Sequence, residues 1–319
     1  MQLKKINLAV DLMGSETNPI NAINACEQFL KNHSDLDLTV IGTKDVLAQI
    51  NNPKIIKIQA AVEILQTDSV FQARKKQNSS VHLGLSALAN KTVDGLVSAS
   101  NTNVFVSLSY AILGLKKDIN KLAFMPFIPT NQKNQTFNLI DVGANLTVSA
   151  ADLVQFAEMA TEFNQKVLNK PNPKVAILNI GTETHKGFSY QQEADQLLKN
   201  HPKINYLGFI EPKNLLNYVC DIVVCNGYDG NLVLKTMEGT ATVLATVVKN
   251  YFKKSWLTKI SAFFVYKLLK TMKETFNYKK HAGAIILGLN GLVVKTHGSA
   301  GQLEYYSSLE LLYKMAKNN

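Results

Sequence analysis

Lys186 and Asn231 are two side chains of this chain suited to act on an anionic oxygen. Lys186 lies in the turn Gly181-Thr182-Glu183-Thr184-His185-Lys186-Gly187, which follows an apolar run. A lysine beside a glycine can hold phosphate as a point charge and offset a developing oxyanion. An exposed loop lysine is the competing reading. Asn231 follows Asn226-Gly227-Tyr228-Asp229-Gly230 and is expected to start or cap a helix running to about residue 250. Its amide, turned toward the loop, can donate to a phosphate or carbonyl oxygen; plain helix capping competes with that role.

Weaker candidates share this chemistry. Asp11 ends the first apolar run and is followed by Met13-Gly14-Ser15-Glu16, so it can orient the loop, meet a ligand, or simply cap the turn. Arg74-Lys75-Lys76 precedes Ser79 and Ser80 at a helix start, a set that can cradle phosphate or form an ordinary solvated basic turn. Asn101 and Thr102, in SASNTN (98–103), offer donors where a strand meets a helix, as any capping pair does. His281 and His297 are single histidines in turns, with no second ligand at metal spacing. No nucleophile elbow, Walker sequence or cysteine nucleophile motif is present. The chemistry that remains is the orientation of two substrates with oxyanion stabilisation, without a metal or cofactor.

These residues need strands that end together. NLIDVGAN (138–145), VAILNIGTETHKG (175–187), DIVVCNGYDGNLVLKTMEG (221–239) and GAIILGLNG (283–291) each run from an apolar stretch into a turn of small and polar residues. At the carboxyl edge of an α/β sheet such turns bind ligands, so four of them suggest a composite site for a phosphate-bearing substrate. Strand patterns fall at 5–11, 37–42, 55–60, 93–99, 137–142, 174–180, 204–210, 221–225 and 284–287. Helical patterns fall near 18–32, 79–91, 103–114, 150–168, 189–200, 230–250, 255–277 and 301–316. The alternation predicts an α/β fold with a largely parallel sheet. No linker or repeat divides the chain, which is expected to be one domain over 1–319.

At 319 residues, 46% hydrophobic and 18% charged, the chain is globular rather than disordered. Cys26, Cys220 and Cys225 fit no zinc pattern and suit buried thiols in a reducing cytoplasm. MQLKKINLAVDLMG reads as a first strand rather than a signal peptide, and no apolar run is long enough to span a membrane. The net charge of +10 is concentrated at 249–280, which holds nine lysines against one acid, Glu274. There Leu257, Ile260, Phe264, Leu268 and Met272 repeat at three and four, and Trp256, Phe263, Val265 and Leu269 widen the apolar face. Such a helix suits an anionic membrane surface, the core, or a second subunit. Nucleic acid is disfavoured, because bulky aliphatics alternate with the lysines and no nucleic-acid motif accompanies them.

Taken in order, DLMGSETNP (11–19), ARKKQNSS (73–80), VSASNTN (97–103), FIPT (127–130), DVGANLTVSAADLVQFAEM (141–159), LNIGTETHKG (178–187), DIVVCNGYDGNLVLKTMEGTA (221–241), HAGAIILGLNG (281–291) and HGS (297–299) resemble the phosphate acyltransferases of the PlsX type. The resemblance implies a three-layer α/β/α fold related to phosphate acetyltransferases and isocitrate dehydrogenases. It implies long-chain acyl transfer from acyl-acyl carrier protein to inorganic phosphate, giving acyl phosphate for phospholipid synthesis. It also implies a homodimer held peripherally on the cell membrane by an amphipathic element at about 249–280, with Trp256, Leu257, Phe263 and Phe264 as lipid contacts. A downstream glycerol-3-phosphate acyltransferase is a further implied partner. By the same resemblance, Lys186 and Asn231 align with residues assigned to the family's catalytic centre. Asp11, Gly14, Arg74, Ser79, Ser80, Asn101, Thr102, Asn145, Gly181 and Gly230 fall in the matching substrate or phosphate loops.

Three motifs depart from the family. MGGD is Met13-Gly14-Ser15-Glu16 here, SAGNTG is SASNTN with Ser100 and Asn103 for glycines, and DGFTGN is NGYDGN with Asn226 for an aspartate. Restoring Asp at 226 is expected to be neutral or modestly faster. An acyltransferase using acyl-coenzyme A and a membrane-attached scaffold without activity are the competing functions.

Overall fold

The computed structural model describes residues 5–254, 256, 265 and 283–318. They form an α/β fold whose strands pair mostly in parallel. The strands fall into two sheets rather than the one expected, within two compact units. Which strands share a sheet depends on pairings between distant residues, which strand-length patterns do not encode. Unit 1 gathers 1–126, 162–171 and 279–319; unit 2 gathers 127–161 and 172–278.

In unit 1, β1 (Ile6–Asp11), β2 (Leu36–Gly42), β3 (Ile55–Gln59), β4 (Gly95–Ser98), β5 (Ala123–Met125), β11 (Ala284–Leu287) and β12 (Val293–Lys295) pair in the order β3-β2-β1-β4-β12-β11-β5. All pairs are parallel except those made by β11. β2 and β4, within the sheet, are mostly apolar and buried on both faces, as strands covered on both sides require, while the edge strand β3 is largely exposed. Adjacent residues of β4 show the two covers. A Cβ on Gly95 would lie 2.5 Å from Leu312 of α9 (Gln302–Lys317). A Cβ on Gly84 of α4 (Ser80–Ala89) would lie 2.9 Å from Leu96. Neighbouring strand residues point to opposite faces, so α4 and α9 sandwich the sheet. The helices α1 (Ile20–Asn32), α2 (Lys44–Leu47), α3 (Val70–Lys75) and α5 (Thr102–Leu113) complete the unit.

In unit 2, β6 (Phe127–Pro129), β7 (Thr136–Ile140), β8 (Lys174–Leu178), β9 (Asn205–Ile210) and β10 (Ile222–Val224) pair in the order β6-β7-β10-β8-β9, parallel except at β6. The helix α6 (Ala150–Lys166) begins in this unit, where Leu153, Phe156, Ala157 and Ala160 are buried. The helix α7 (Ser189–Lys199) packs on β9, and α8 (Gly227–Lys253) begins against β7. Along α8, Val243, Leu244, Val247 and Tyr251 are exposed, and Trp256 beyond it is 69% exposed. Of the expected amphipathic element at 249–280, only residues 249–254, 256 and 265 are described; Leu257, Phe263 and Phe264 lie outside the described residues. Among the described residues, no helix is long and apolar enough to cross a membrane.

Candidate active site

Three neighbouring parallel strands of unit 2, β7, β10 and β8, end at one edge. The segments that follow them carry Asn145, Asn226 with the first turns of α8 to Asn231, and Gly181 to Lys186. Asp141, fully buried just after β7, organises the first loop. Its Oδ1 accepts from the Ala144 N–H (3.1 Å), and its Oδ2 from the N–H (2.7 Å) and amide Nδ2 (2.9 Å) of Asn145. Asn145 is thus spent partly on building its own loop. Its carbonyl accepts from the Gly227 N–H at 2.7 Å, which seats the start of α8 on the turn.

That seat tolerates no side chain. A Cβ on Gly227 would lie 2.8 Å from Asp141 Oδ2 and 2.9 Å from the Gly143 nitrogen. A Cβ on Gly230 would overlap the Asp141 carbonyl oxygen. Glycine at 230 therefore acts through close backbone approach, and its phosphate role stays a matter of position alone. Gly143, at φ +126°, faces Asn231, whose amide atoms would lie 3.8 to 3.9 Å from a Cβ placed there. Asn231 thus stands over the Asp141–Asn145 turn.

Asn231 does not start its helix. The cap is Asn226, whose Oδ1 accepts from the Asp229 N–H at 2.8 Å, so α8 begins at Gly227 and Asn231 occupies its second turn. With capping done by Asn226, that competing role for Asn231 falls away, and its side chain is exposed. Asn226 Nδ2 donates to Asp229 Oδ2 and to the Tyr190 hydroxyl, both at 2.7 Å. Tyr190 lies in the first turn of α7, so this amide ties the β10 loop to the segment that follows Lys186. Burial raises the Tyr190 phenol above its ordinary value, the Asn226 bond opposes, and the Asp229 charge adds. An aspartate at 226 would set two carboxylates 2.7 Å apart, so Asn226→Asp is expected to cost stability whatever it does to the rate.

Lys186 is held by its main chain. Its carbonyl accepts from Asn179 Nδ2 (3.0 Å) and its N–H donates to the Glu183 carbonyl (3.0 Å). Gly187, at φ +84°, leaves no room for a Cβ against Asn179 and Gln191. The Lys186 stem and the Glu183 carboxylate both cross Gly181, 3.1 and 2.6 Å from where its Cβ would be. The Glu183 carboxyl is held below its usual range by its own backbone N–H, with the Lys186 and His185 charges adding to the effect. The side chain of Lys186 is half-buried. Cys225 is structural: its Sγ donates to the Asp141 carbonyl at 3.3 Å, and burial, with the Asp141 and Asp229 charges, raises its thiol well above the ordinary value. Burial likewise pushes the free thiols of Cys26 and Cys220 up to about 12.

Unit 1 builds a separate cluster where β1, β4 and β12 end together. Asp11 is fully buried. Its Oδ2 accepts from Ser98 Oγ at 2.6 Å and its Oδ1 from the Met13 N–H at 3.0 Å. Burial raises its pKa, opposed by hydrogen bonds from Ser98, Ser80, Met13 and Gly14. Ser100 joins the chain, its Oγ 2.8 Å from that of Ser98, so the lost glycine is absorbed into the core. Gly14 is needed here: its Cβ would lie 2.5 Å from the Ser100 nitrogen. Asn101 caps α5, its Oδ1 accepting from the N–H groups of Asn103 and Val104, and its Nδ2 donates to the Gln66 carbonyl at 2.9 Å. Thr102 and Asn103 are exposed in the first turn of α5.

The basic turn and the two serines are not assembled into one cradle. Ser79 caps α4, its Oγ 3.0 Å from His82 Nδ1, and Ser79 and Ser80 are buried. Arg74 is exposed in the last turn of α3, and among the described residues no bond joins it to either serine. The GAIILGLNG turn also leaves this edge. β11 runs antiparallel to β12, so its turn exits at the opposite end, where Asn290 Nδ2 donates to the Leu115 carbonyl at 2.6 Å.

Residue reading missed four members of these clusters. Gln66 Nε2 donates to the carbonyls of Gly14 (2.6 Å) and Ala99 (3.1 Å). Buried Lys295, at the end of β12, donates to the carbonyls of Ala99 (3.3 Å) and Thr296. Ser98 and Tyr190 complete the set. Only Lys295 carried a signal, a lysine closing an apolar strand before His297-Gly298.

Parallel strands ending on glycine-seated loops belong to an α/β fold that solved structures share over nearly the whole chain. The EutD phosphotransacetylase from Staphylococcus aureus superposes with a TM-score of 0.61 at 14% identity, over 99% of this chain and 95% of that one. A branched-chain phosphotransacylase from Enterococcus faecalis V583 does so with 0.58 at 16% identity, over 97% and 98%. The family described as "Fatty acid synthesis protein" matches residues 6–319. The phosphate acyltransferase of Ureaplasma parvum serovar 3 is 42% identical over 319 residues, 99% of this chain and 95% of its own. That of Mycoplasma pneumoniae is 39% identical over 315 residues, 98% and 94%. The chain belongs to this family, that of the PlsX-type phosphate acyltransferases.

Proposed function

We propose that the chain transfers a long-chain acyl group from acyl-acyl carrier protein to inorganic phosphate, releasing acyl phosphate for phospholipid synthesis. The full-length match to phosphate acyltransferases carries this reading. A phosphate oxygen attacks the thioester carbonyl, and the pantetheine thiolate leaves, with no acyl-enzyme. Lys186 binds phosphate and offsets the charge that grows on the oxyanion; Asn231 donates its amide to phosphate or to the carbonyl oxygen. The glycine-seated turn beneath Asn231 supports the second role. Asp11, Gly14 and Asn101 shape a second loop cluster for substrate.

The working form is a homodimer on the cytoplasmic face of an anionic membrane. The exposed apolar row Val243, Leu244, Val247 and Tyr251 supports a second copy against α8. The lysine-rich segment 249–280 supports the membrane attachment. A glycerol-3-phosphate acyltransferase then consumes the product. Purified protein given palmitoyl-carrier protein and phosphate should form acyl phosphate. Reaction with acyl-coenzyme A alone would move the donor to coenzyme A, and no phosphate-dependent thioester cleavage with either donor would leave a scaffold.

A further inference from the structure

The basic turn 74–76 is not absorbed by either loop cluster, and its surroundings are unusual for a solvated turn. On α3, Phe71 is 69% exposed, with Lys75 Nζ 4.2 Å from its ring centre. Leu65 and Val62, on the segment leading into α3, are 47% and 41% exposed. Lys76 is taken up by Asp68, at 2.5 Å, and by the Glu63 carbonyl. Arg74 and Lys75 have no ion-pair partner among the described residues, and α3 itself contains no acid. Phe71, Arg74 and Lys75 share one face of α3 at i, i+3 and i+4, and the Lys76 bonds to Glu63 and Asp68 tie the segment carrying Val62 and Leu65 to the end of that helix. Ser69 and Gln72 form a capping box at the start of α3, which also packs on α5. Single exposed apolar side chains are ordinary; several together beside open cations mark an interaction surface.

The location selects the partner. Gln66, one residue after Leu65, bonds the carbonyls of Gly14 and Ala99, and its own carbonyl accepts from Asn101. The patch is therefore fastened to the loops at the carboxyl edge of the unit 1 sheet. We propose that the face formed by Val62, Leu65, Phe71, Arg74 and Lys75 docks the acyl carrier protein, as an acidic domain with an apolar contact beside its prosthetic arm. This rests on the carrier-protein reading of the donor. Two open cations on one short helix are few for a lipid surface but suit an acidic helix, where they steer encounter and fix register.

The test separates docking from catalysis. Labelled holo-acyl carrier protein is titrated against the full chain and against Phe71→Ser/Lys75→Glu, while turnover is followed with acyl-carrier protein and with acyl-coenzyme A. The double variant should bind the carrier at least 10-fold more weakly and raise its KM by the same factor, with kcat and acyl-coenzyme A kinetics within 2-fold of the parent. Lys75→Arg should retain binding, and added salt should weaken the parent more than the double variant. Equal carrier binding by the parent and the double variant would overturn the surface. So would equal losses with both donors, or release from phosphatidylglycerol vesicles with carrier binding intact. A parent that binds the carrier at this face without transferring its acyl group would sink the proposed reaction and leave the docking face standing.

Discussion

Asn226→Asp is the most informative single change at the α8 start. The wild-type amide donates to Asp229 Oδ2 and to Tyr190, both at 2.7 Å, while its carbonyl caps the helix. Aspartate keeps the cap but turns a donor into an acceptor. The bond lost to a charged partner is worth about 1.5–3 kcal/mol. The two carboxylates then repel. With the pair relaxed to about 4 Å, between buried position 226 and half-buried Asp229, a further ~2–4 kcal/mol is expected, the upper end being that for a medium of dielectric constant 20. The total is about 4–7 kcal/mol at pH 8, or a fall in Tm of roughly 8 °C or more for a unit of this size. The repulsive part depends on pH. The charge facing the new carboxyl raises its folded pKa above the unfolded value near 4. The penalty is therefore absent below pH ~4 and grows as pH rises through the folded value. Melting curves from pH 4.5 to 8 should show the gap to wild type widening with pH. Asn226→Ala should instead lose a nearly pH-independent ~1 kcal/mol or more with the cap. Asn226→Asp/Asp229→Thr should regain the repulsive part. A single variant that melts with wild type at both ends of the range would refute the reasoning.

Lys186→Ala and Asn231→Ala should each lower turnover by ~10²-fold or more while leaving the Tm within a few degrees; wild-type rates in both would dismiss the pair as the catalytic centre. Gly230→Ala should cost about 3 kcal/mol or prevent folding, because its methyl group meets the Asp141 carbonyl, and circular dichroism melts will read this directly. For Asp11, burial raises the folded pKa above the unfolded one, so its ionisation subtracts stability as pH climbs past about 4. Asp11→Asn should remove that decline and give a flatter Tm–pH curve; an unchanged slope would count against it. Sedimentation with phosphatidylglycerol vesicles should exceed that with neutral ones and weaken in salt, and Phe263→Glu/Phe264→Glu should abolish it if those residues meet lipid.

Long strands with near-continuous apolar runs, such as β1 and β2, were legible because burial on both faces leaves an unbroken pattern. Of the three-residue strands, β10 was legible within the apolar run of DIVVC, whereas β5, β6 and β12, without such a bounded run, were not. The start of α8 was misplaced because Gly-Tyr-Asp-Gly reads as a turn. The better cue was Asn226 with Asp229 three residues on, a capping arrangement in which the glycines serve close packing. Lys186 and Asn231 could be picked by residue type and resemblance. The partners that shape the loops, such as Gln66 with Gly14 or Tyr190 with Asn226, are 52 and 36 residues apart, and nothing local marks them.

The order of strands in unit 1 bears on how the chain folds during synthesis. β4 is made within the first hundred residues, yet one of its two neighbours, β12, comes from 293–295, after all of unit 2. Until then the inner edge of β4 has no native strand to pair with, while unit 2, encoded wholly between the flanking pieces, can mature first. A ribosome that stalls before residue 293 leaves an apolar, unpaired edge, the kind of surface that invites chaperones or aggregation. The segment that carries β11 and β12 thus acts as a closure whose late arrival decides whether the strands made before it reach their final sheet.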